Sequence, residues 1–260
     1  MDEALLQEFR FDWTLAGKSP KTADTYVLLL RGLIAAGAAG SLTEAKQWVS
    51  EAVAPPSRRK RGQAIRAFGK WAEDHSLGLL EWWRHVPLAA DVETPQETAT
   101  VDDFRKALQL ATEPRHRALV CLLWTTGLRR TEISNLMTSD VDLVGGHLVV
   151  RQSKTKTPRI VPLAPMTRKA LRPLLRQSES MPLIGMSSNA IRQFLARKGL
   201  PSAHAWRRGW AVESLKAGVS ETSVRAVAGW SSGAMVARYT RKLSGEIALE
   251  EFQRTWLGGV

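Results

Sequence analysis

The sequence predicts a mainly α-helical chain with one small antiparallel β-sheet, divided into a helical bundle and a larger second domain. Three observations lead there. Apolar residues recur at three- and four-residue steps along most of the chain, the spacing of one face of a helix. The period changes to two only between Val141 and Leu163, around Gly145-Gly146. Between the helical stretches, Val86 to Thr100 holds Pro87, Pro95 and several Thr and Glu, the composition of an exposed linker. With 260 residues, 44% of them hydrophobic and 24% charged, the chain can bury the core of one large domain or two modest ones.

The first domain, about 1–90, reads as four helices. Leu5, Leu6, Phe9 and Trp13 form one stripe, which Gly17 interrupts. Ser19-Pro20 predicts an N-cap and first turn, followed by the stripe Tyr26, Leu29, Leu30 and Leu33. Thr43 to Val53 is the third helix, stopped by Pro55-Pro56. The fourth starts near Ser57 with Arg58-Arg59-Lys60-Arg61 and buries Ile65, Phe68 and Trp71.

The second domain, about 93–260, opens with helices over Val101–Ala111 and Pro114–Thr126, the latter strongly apolar. After Gly127, a short amphipathic stretch runs from Arg129 to Met137. Val141–Val144, Gly145-Gly146 and His147–Arg151 make a hairpin signature. Arg159–Leu163 adds a third strand after a Lys/Thr-rich turn, and the rest is helical. The tail carries Ile247, Leu249, Phe252 and Trp256 as an amphipathic stripe, which could pack on its own domain or on a neighbouring protomer.

Charge narrows the function. The formal net charge is +12, and its distribution is uneven. Up to Asp91 there are 12 basic and 11 acidic residues; beyond it there are 25 and 14. That asymmetry favours a polyanionic partner, and without a basic lipid-anchoring helix the partner expected is nucleic acid, with no membrane involved. The single Cys121 forms no internal disulfide, and Met1-Asp2-Glu3 is acidic where a signal peptide is basic. A cytoplasmic protein is expected. No phosphate loop, dinucleotide fingerprint or Cys/His cluster occurs, so no metal or other cofactor is expected.

What remains is a dispersed set: Thr126-Gly127-Leu128-Arg129-Arg130-Thr131-Glu132-Ile133, Lys154, His204-Ala205-Trp206-Arg207, Ala228-Gly229-Trp230, and Tyr239-Thr240. In order and spacing it resembles the tyrosine site-specific recombinases, the family of phage integrases and Xer-type enzymes. Lys18 to Tyr26 also resembles the second helix of that family's core-binding domain. The resemblance implies a SAM-like core-binding bundle and a tyrosine-recombinase catalytic domain closing as a clamp on duplex DNA. It assigns Arg129, Lys154, His204, Arg207, Trp230 and Tyr239 as catalytic, with Glu132 steadying the first arginine's helix. Lys156 remains a rival to Lys154, because Ser153 and Thr155 stand where glycines are common. Lys18, Lys21, Arg58, Arg59, Lys60, Arg61 and Arg208 are expected on DNA.

These residue types suit metal-independent phosphodiester cleavage. A tyrosine oxygen gives a covalent intermediate that keeps the bond energy for rejoining without ATP. Two guanidiniums can fork onto phosphate oxygens as charge develops. Lys154 on a turn could protonate the departing 5′ oxygen, His204 is an acid or base, and Trp230 can only donate its indole N–H. The resemblance implies a homo-tetramer on paired sites, exchanging strands through a Holliday junction to integrate or excise a phage or other mobile element. A directionality factor could accompany it. Two other readings stay open: a type IB topoisomerase-like nicking and closing enzyme, and a DNA-binding protein of the same fold without chemistry. For single residues the default is blander. Most of the ten Trp belong to packing, Tyr26 lies on a core stripe, and the Arg58–Arg61 run is by default a solvated face. Tyr239, flanked by Arg238 and Arg241, is a poor core residue in a phosphate-friendly setting.

Overall fold

The computed structural model describes residues 1–90, 97–151, 158–175, 180–230 and 232–233, with isolated positions at 245, 248–249 and 252–253. Helices dominate, with one three-stranded antiparallel sheet. Two compact units result, Met1–Pro95 and Gln96–Val260. Among the described residues no helix is long and apolar enough to cross a membrane.

The first unit holds α1 (Glu3–Leu15), α2 (Pro20–Ala35), α3 (Leu42–Ser50) and α4 (Pro55–Asp74). Asp2 caps α1 by accepting from the Leu5 N–H at 3.0 Å, satisfying one of the donors every helix start leaves open. Leu6, Phe9, Tyr26, Leu30, Leu33, Ile65 and Phe68 meet in the core, where Phe9 and Phe68 pack edge to face with centroids 5.5 Å apart. Two expectations need correction. Ser19 precedes α2, but its hydroxyl makes no capping bond; the fixed φ of Pro20 starts that helix instead. The expected linker is exposed at Pro87, Ala90, Glu97 and Thr100, but two of its residues are buried. Val86 is buried against α4 and Ala99 is buried in the second unit, where its N–H donates to the Ala205 carbonyl at 3.0 Å.

The second unit begins with α5 (Val101–Leu110), whose Thr100 and Asp103 cap each other's backbone N–H groups. Next come α6 (Pro114–Thr125) and α7 (Arg130–Asn135). Every residue from Ala118 to Leu123 is buried, so α6 is the central helix and Cys121 sits in its apolar surroundings. The sheet follows in the order β1 (Val141–Asp142), β2 (His147–Val150), β3 (Arg159–Pro162). The β1–β2 turn takes four residues, not the two of Gly145-Gly146. The Gly145 N–H donates to Asp142 Oδ1 at 2.7 Å, Gly146 adopts φ +68°, and Val144 is left exposed. Then come α8 (Pro165–Leu171), α9 (Ser188–Arg197), α10 (Ala203–Lys216) and α11 (Glu221–Ala228). Trp206 is fully buried on α10, and its indole N–H donates to the Pro201 carbonyl at 3.0 Å.

Candidate active site

Three chain features converge on one side of the second unit. α6 ends at Thr125, and Gly127, at φ +60°, turns the chain so that Arg129 becomes the N-cap of α7. A Cβ on Gly127 would overlap the indole ring of Trp210 on α10. The position therefore needs glycine twice over, for its backbone and for its contact. Gly127→Ala is expected to destabilise the protein by about 2–5 kcal/mol, combining left-handed strain with overpacking. An unchanged melting temperature would show that the turn and the ring can rearrange.

Arg207, on α10, is only 4% exposed. Its guanidinium donates from Nη1 to the Gly127 carbonyl and from Nη2 to the Ala228 carbonyl, the latter at 2.6 Å. It also lies 4.9 Å from the ring centroid of Trp230, which packs with Trp210, Val224 and Ala228. One arginine thus links the end of α6, α10 and the end of α11. Gly229, in the left-handed region at φ +65°, ends α11 and lets the chain reach Trp230.

His204 stands one turn before Arg207 on α10, whose first turn is capped by the Ser202 hydroxyl accepting from the Ala205 N–H. His204 and Arg129 line the same cavity of about 420 Å³, together with Arg130, Arg192 and the apolar Leu195 and Leu200. His204 keeps an exposed edge, but enclosure of the ring pushes its pKa below the ordinary 6.5. The positive charges of Arg208, Arg207, Arg130 and Arg129 push it the same way. The imidazole is consequently neutral at pH 7. The sign for activity follows: if neutral His204 is needed, the rate is retained as pH falls through 6.5 and is lost only below it. The kcat/KM profile, which reports the free enzyme, is expected to show an acid limb centred below 6.5 that disappears in His204→Gln. A limb centred at or above 6.5 would mean that the arginines do not act on this ring.

Glu132 is the acid at the centre. It accepts from the Arg129 N–H and from Arg129 Nη1, both at 2.8 Å. It also accepts from Arg159 Nη1 at 3.1 Å and Nη2 at 2.7 Å. Burial would raise its pKa, but hydrogen bonds from Arg159 and Arg129 and the charge of Arg159 outweigh burial and hold it below the ordinary carboxylate value. In the sequence Arg159 stands only as the start of a strand, and this pairing does not follow from it. The available signal was one acid, Glu132, facing an excess of arginines. Arg130, which the motif gives no role of its own, lies beside His204 and donates to Ser188 Oγ at 2.8 Å.

The structure thus gathers Arg129, His204, Arg207 and Trp230. Lys154, its rival Lys156, and Tyr239 lie outside the described residues. Among the described residues no group of three His, Cys, Asp or Glu could hold a metal ion.

The cations expected on DNA divide into two kinds. Lys18, Lys21 and Lys60 are exposed, with the Lys18 ammonium 4.1 Å from the Trp13 ring centroid. Arg58 donates to the Ala52 carbonyl and Arg59 to that of Ala89, each at 2.6 Å, and Arg61 donates to that of Trp48 while stacking over its ring. The run is therefore not a plain solvated face: three of its four members tie α4 to neighbouring backbone. Arg208 needs correction as a DNA contact. It is 8% exposed and donates to the Glu97 carbonyl at 2.7 Å, holding the start of the second unit.

Residues 97–246 match the profile described as the phage integrase family. The chain is 25% identical to tyrosine recombinase XerA of Thermococcus kodakarensis, covering 91% of this chain and 90% of that one. Among solved structures, a lambda integrase dimer bound to a COC′ core site is similar with a TM-score of 0.75 and 18% identity, over 89% of this chain and 96% of that one. A lambda integrase tetramer bound to a Holliday junction gives 0.71 and 17%, over 88% and 77%.

Proposed function

Because the chain belongs to the phage integrase family and is a tyrosine recombinase acting on DNA, we propose that Tyr239 cuts one strand and holds its 3′ end as a phosphotyrosine. Attack by the phenol oxygen on phosphorus forms the new P–O bond, and the bond to the 5′ oxygen breaks. The departing oxygen takes a proton from Lys154 and leaves as a hydroxyl. Rejoining runs the same steps backward with a 5′ hydroxyl from the partner strand, so the phosphoester bond energy is conserved throughout. The observation that carries this reading is the convergence of Arg129 and Arg207 around His204.

The geometry of the described residues supports the roles of Arg207, Arg129, His204 and Trp230. Arg207 is fixed beforehand by two carbonyls, so holding a phosphate oxygen costs little reorganisation. Arg129 is fixed by Glu132 in the same way. Neutral His204 can take the proton of the attacking phenol. Trp230 gives its ring face to Arg207, a support that does not need a titrating group.

Of the cations expected on DNA, Lys18, Lys21 and Lys60 are exposed and available to backbone phosphates, which position a protein on DNA without reading its sequence. A homo-tetramer on paired sites is supported by the likeness to the integrase tetramer on a Holliday junction, and by Leu249 and Phe252, 59% and 62% exposed in the single chain. Movement of a phage or other mobile element is the setting proposed. Family membership leaves the non-catalytic alternative without support.

The test uses a target carrying a bridging phosphorothiolate at the cut site, which traps the cleaved state. A covalent protein–DNA adduct on a denaturing gel, with the nucleotide mapped to Tyr239 by mass spectrometry, is the expected result. An adduct on another residue would overturn the nucleophile. Relaxation of supercoiled DNA without exchange between two target sites would favour the nicking and closing alternative.

A further inference from the structure

We propose that Arg159 is a positioning residue for strand cleavage: its side chain holds Glu132, and through it Arg129, while fastening the start of β3 to the end of α11. This rests on the reading of Arg129 and Arg207 given above. Arg159 and Glu132 have side chains only 9% and 2% exposed. Each oxygen of Glu132 receives two donors. Oε1 takes Arg129 Nη1 and Arg159 Nη1; Oε2 takes the Arg129 N–H and Arg159 Nη2. This sharing leaves Glu132 with a single nitrogen of the Arg129 guanidinium, and among the described residues Nε and Nη2 of Arg129 have no partner. Without Arg159, the buried carboxylate would keep only one cation and a weaker hold on its own charge, so the anchor that fixes the Arg129 guanidinium toward a phosphate would loosen.

The other end of Arg159 acts on the second arginine. Its Nε donates to the Val227 carbonyl at 2.7 Å, next to Ala228, whose carbonyl holds Arg207. The backbone at Gly229 packs directly on the guanidinium, where a Cβ would stand 3.3 Å from it. β3 itself begins at Arg159, five positions after Lys154 in the sequence. One side chain therefore sets the register of the two arginines and of β3.

Three variants test this: Arg159→Gln, Arg159→Lys and the double variant Glu132→Gln/Arg159→Gln. The readouts are thermal melting, DNA affinity and single-turnover cleavage against pH. In Arg159→Gln, affinity is expected within threefold of wild type and cleavage at least tenfold slower. Losing the Arg159 donors leaves burial to raise Glu132, so its carboxylate takes a proton as pH falls and releases Arg129. The charged groups facing Glu132 are Arg129, Arg159 and, across an adjoining cavity, Asp140 and Arg151. The Arg159→Gln rate should accordingly fall on the acid side at a higher pH than wild type. The double variant should lack that extra limb, while His204 contributes its own limb to every variant. Arg159→Lys, which restores the charge but not the fork, should cleave at an intermediate rate. If Arg159→Gln melts too low to assay, Arg159→Lys carries the test: cleavage equal to wild type would overturn the proposal. So would Arg159→Gln cleaving within threefold of wild type on an unshifted pH profile. An adduct mapped away from Tyr239 would instead sink the reading of the site, a separate outcome.

Discussion

Tyr239→Phe is expected to form no covalent adduct on a trapped target, with cleavage down by at least about 10⁴-fold, the order of loss when a covalent nucleophile is removed. DNA affinity should stay within a few-fold, because the phenyl ring and the arginines around the phosphate remain. The two-tyrosine composition makes this test unusually clean. The other candidate, Tyr26, is buried in the core of the first unit, and burial raises its hydroxyl pKa, which disfavours the phenolate a nucleophile needs. Adduct formation by Tyr239→Phe would therefore point to a serine, threonine or other group, and would remove the phosphotyrosine mechanism altogether. Denaturing gels of the trapped complex read the result directly.

Arg207→Ala has the second largest expected effect, and it acts on both stability and rate. Truncation leaves the Gly127 and Ala228 carbonyls without their buried charged donor, at about 1–3 kcal/mol each. It also removes the cation stacked on Trp230. Cleavage should fall by about 10²–10³-fold from loss of one charge-stabilising donor set, and further if the end of α11 shifts. A denaturant melt and single-turnover cleavage separate the two contributions. Arg207→Lys should recover part of the stability and little of the rate, since an ammonium cannot span two carbonyls as a planar fork does. Wild-type cleavage by Arg207→Ala would show that Arg207 holds the fold and takes no part in the reaction.

Much of this was legible along the chain. The apolar steps through Leu6, Phe9, Leu30, Leu33, Ile65 and Phe68 located the first bundle, because a helix face repeats at fixed spacing whatever it packs against. The switch to alternation located the sheet for the same reason. Turn length was less legible: Asp142 captures the Gly145 N–H, a side-chain bond that lengthened the Gly-Gly turn. Two residues of the expected linker depart from it because proline and threonine content reports local preference, whereas Val86 and Ala99 are buried by neighbours distant in sequence.

The site shows the same division. Arg129, His204 and Arg207 were legible as a motif, since their residue types and order are fixed by the chemistry they resemble. What each arginine touches was not. Arg58, Arg59, Arg61 and Arg208 looked alike as surface cations, yet each donates to a carbonyl brought near only by folding. Arg159 looked like the first residue of a strand and proved to be the partner of Glu132, 27 positions earlier in the chain. The sequence by itself determined the helix and strand order, the charge that seeks a polyanion, and the residue types of a phosphoryl-transfer site. Only the tertiary structure decided which cations are held inside, because a guanidinium's role depends on the acceptors within about 3 Å of it, and those come from segments that the chain order keeps far apart.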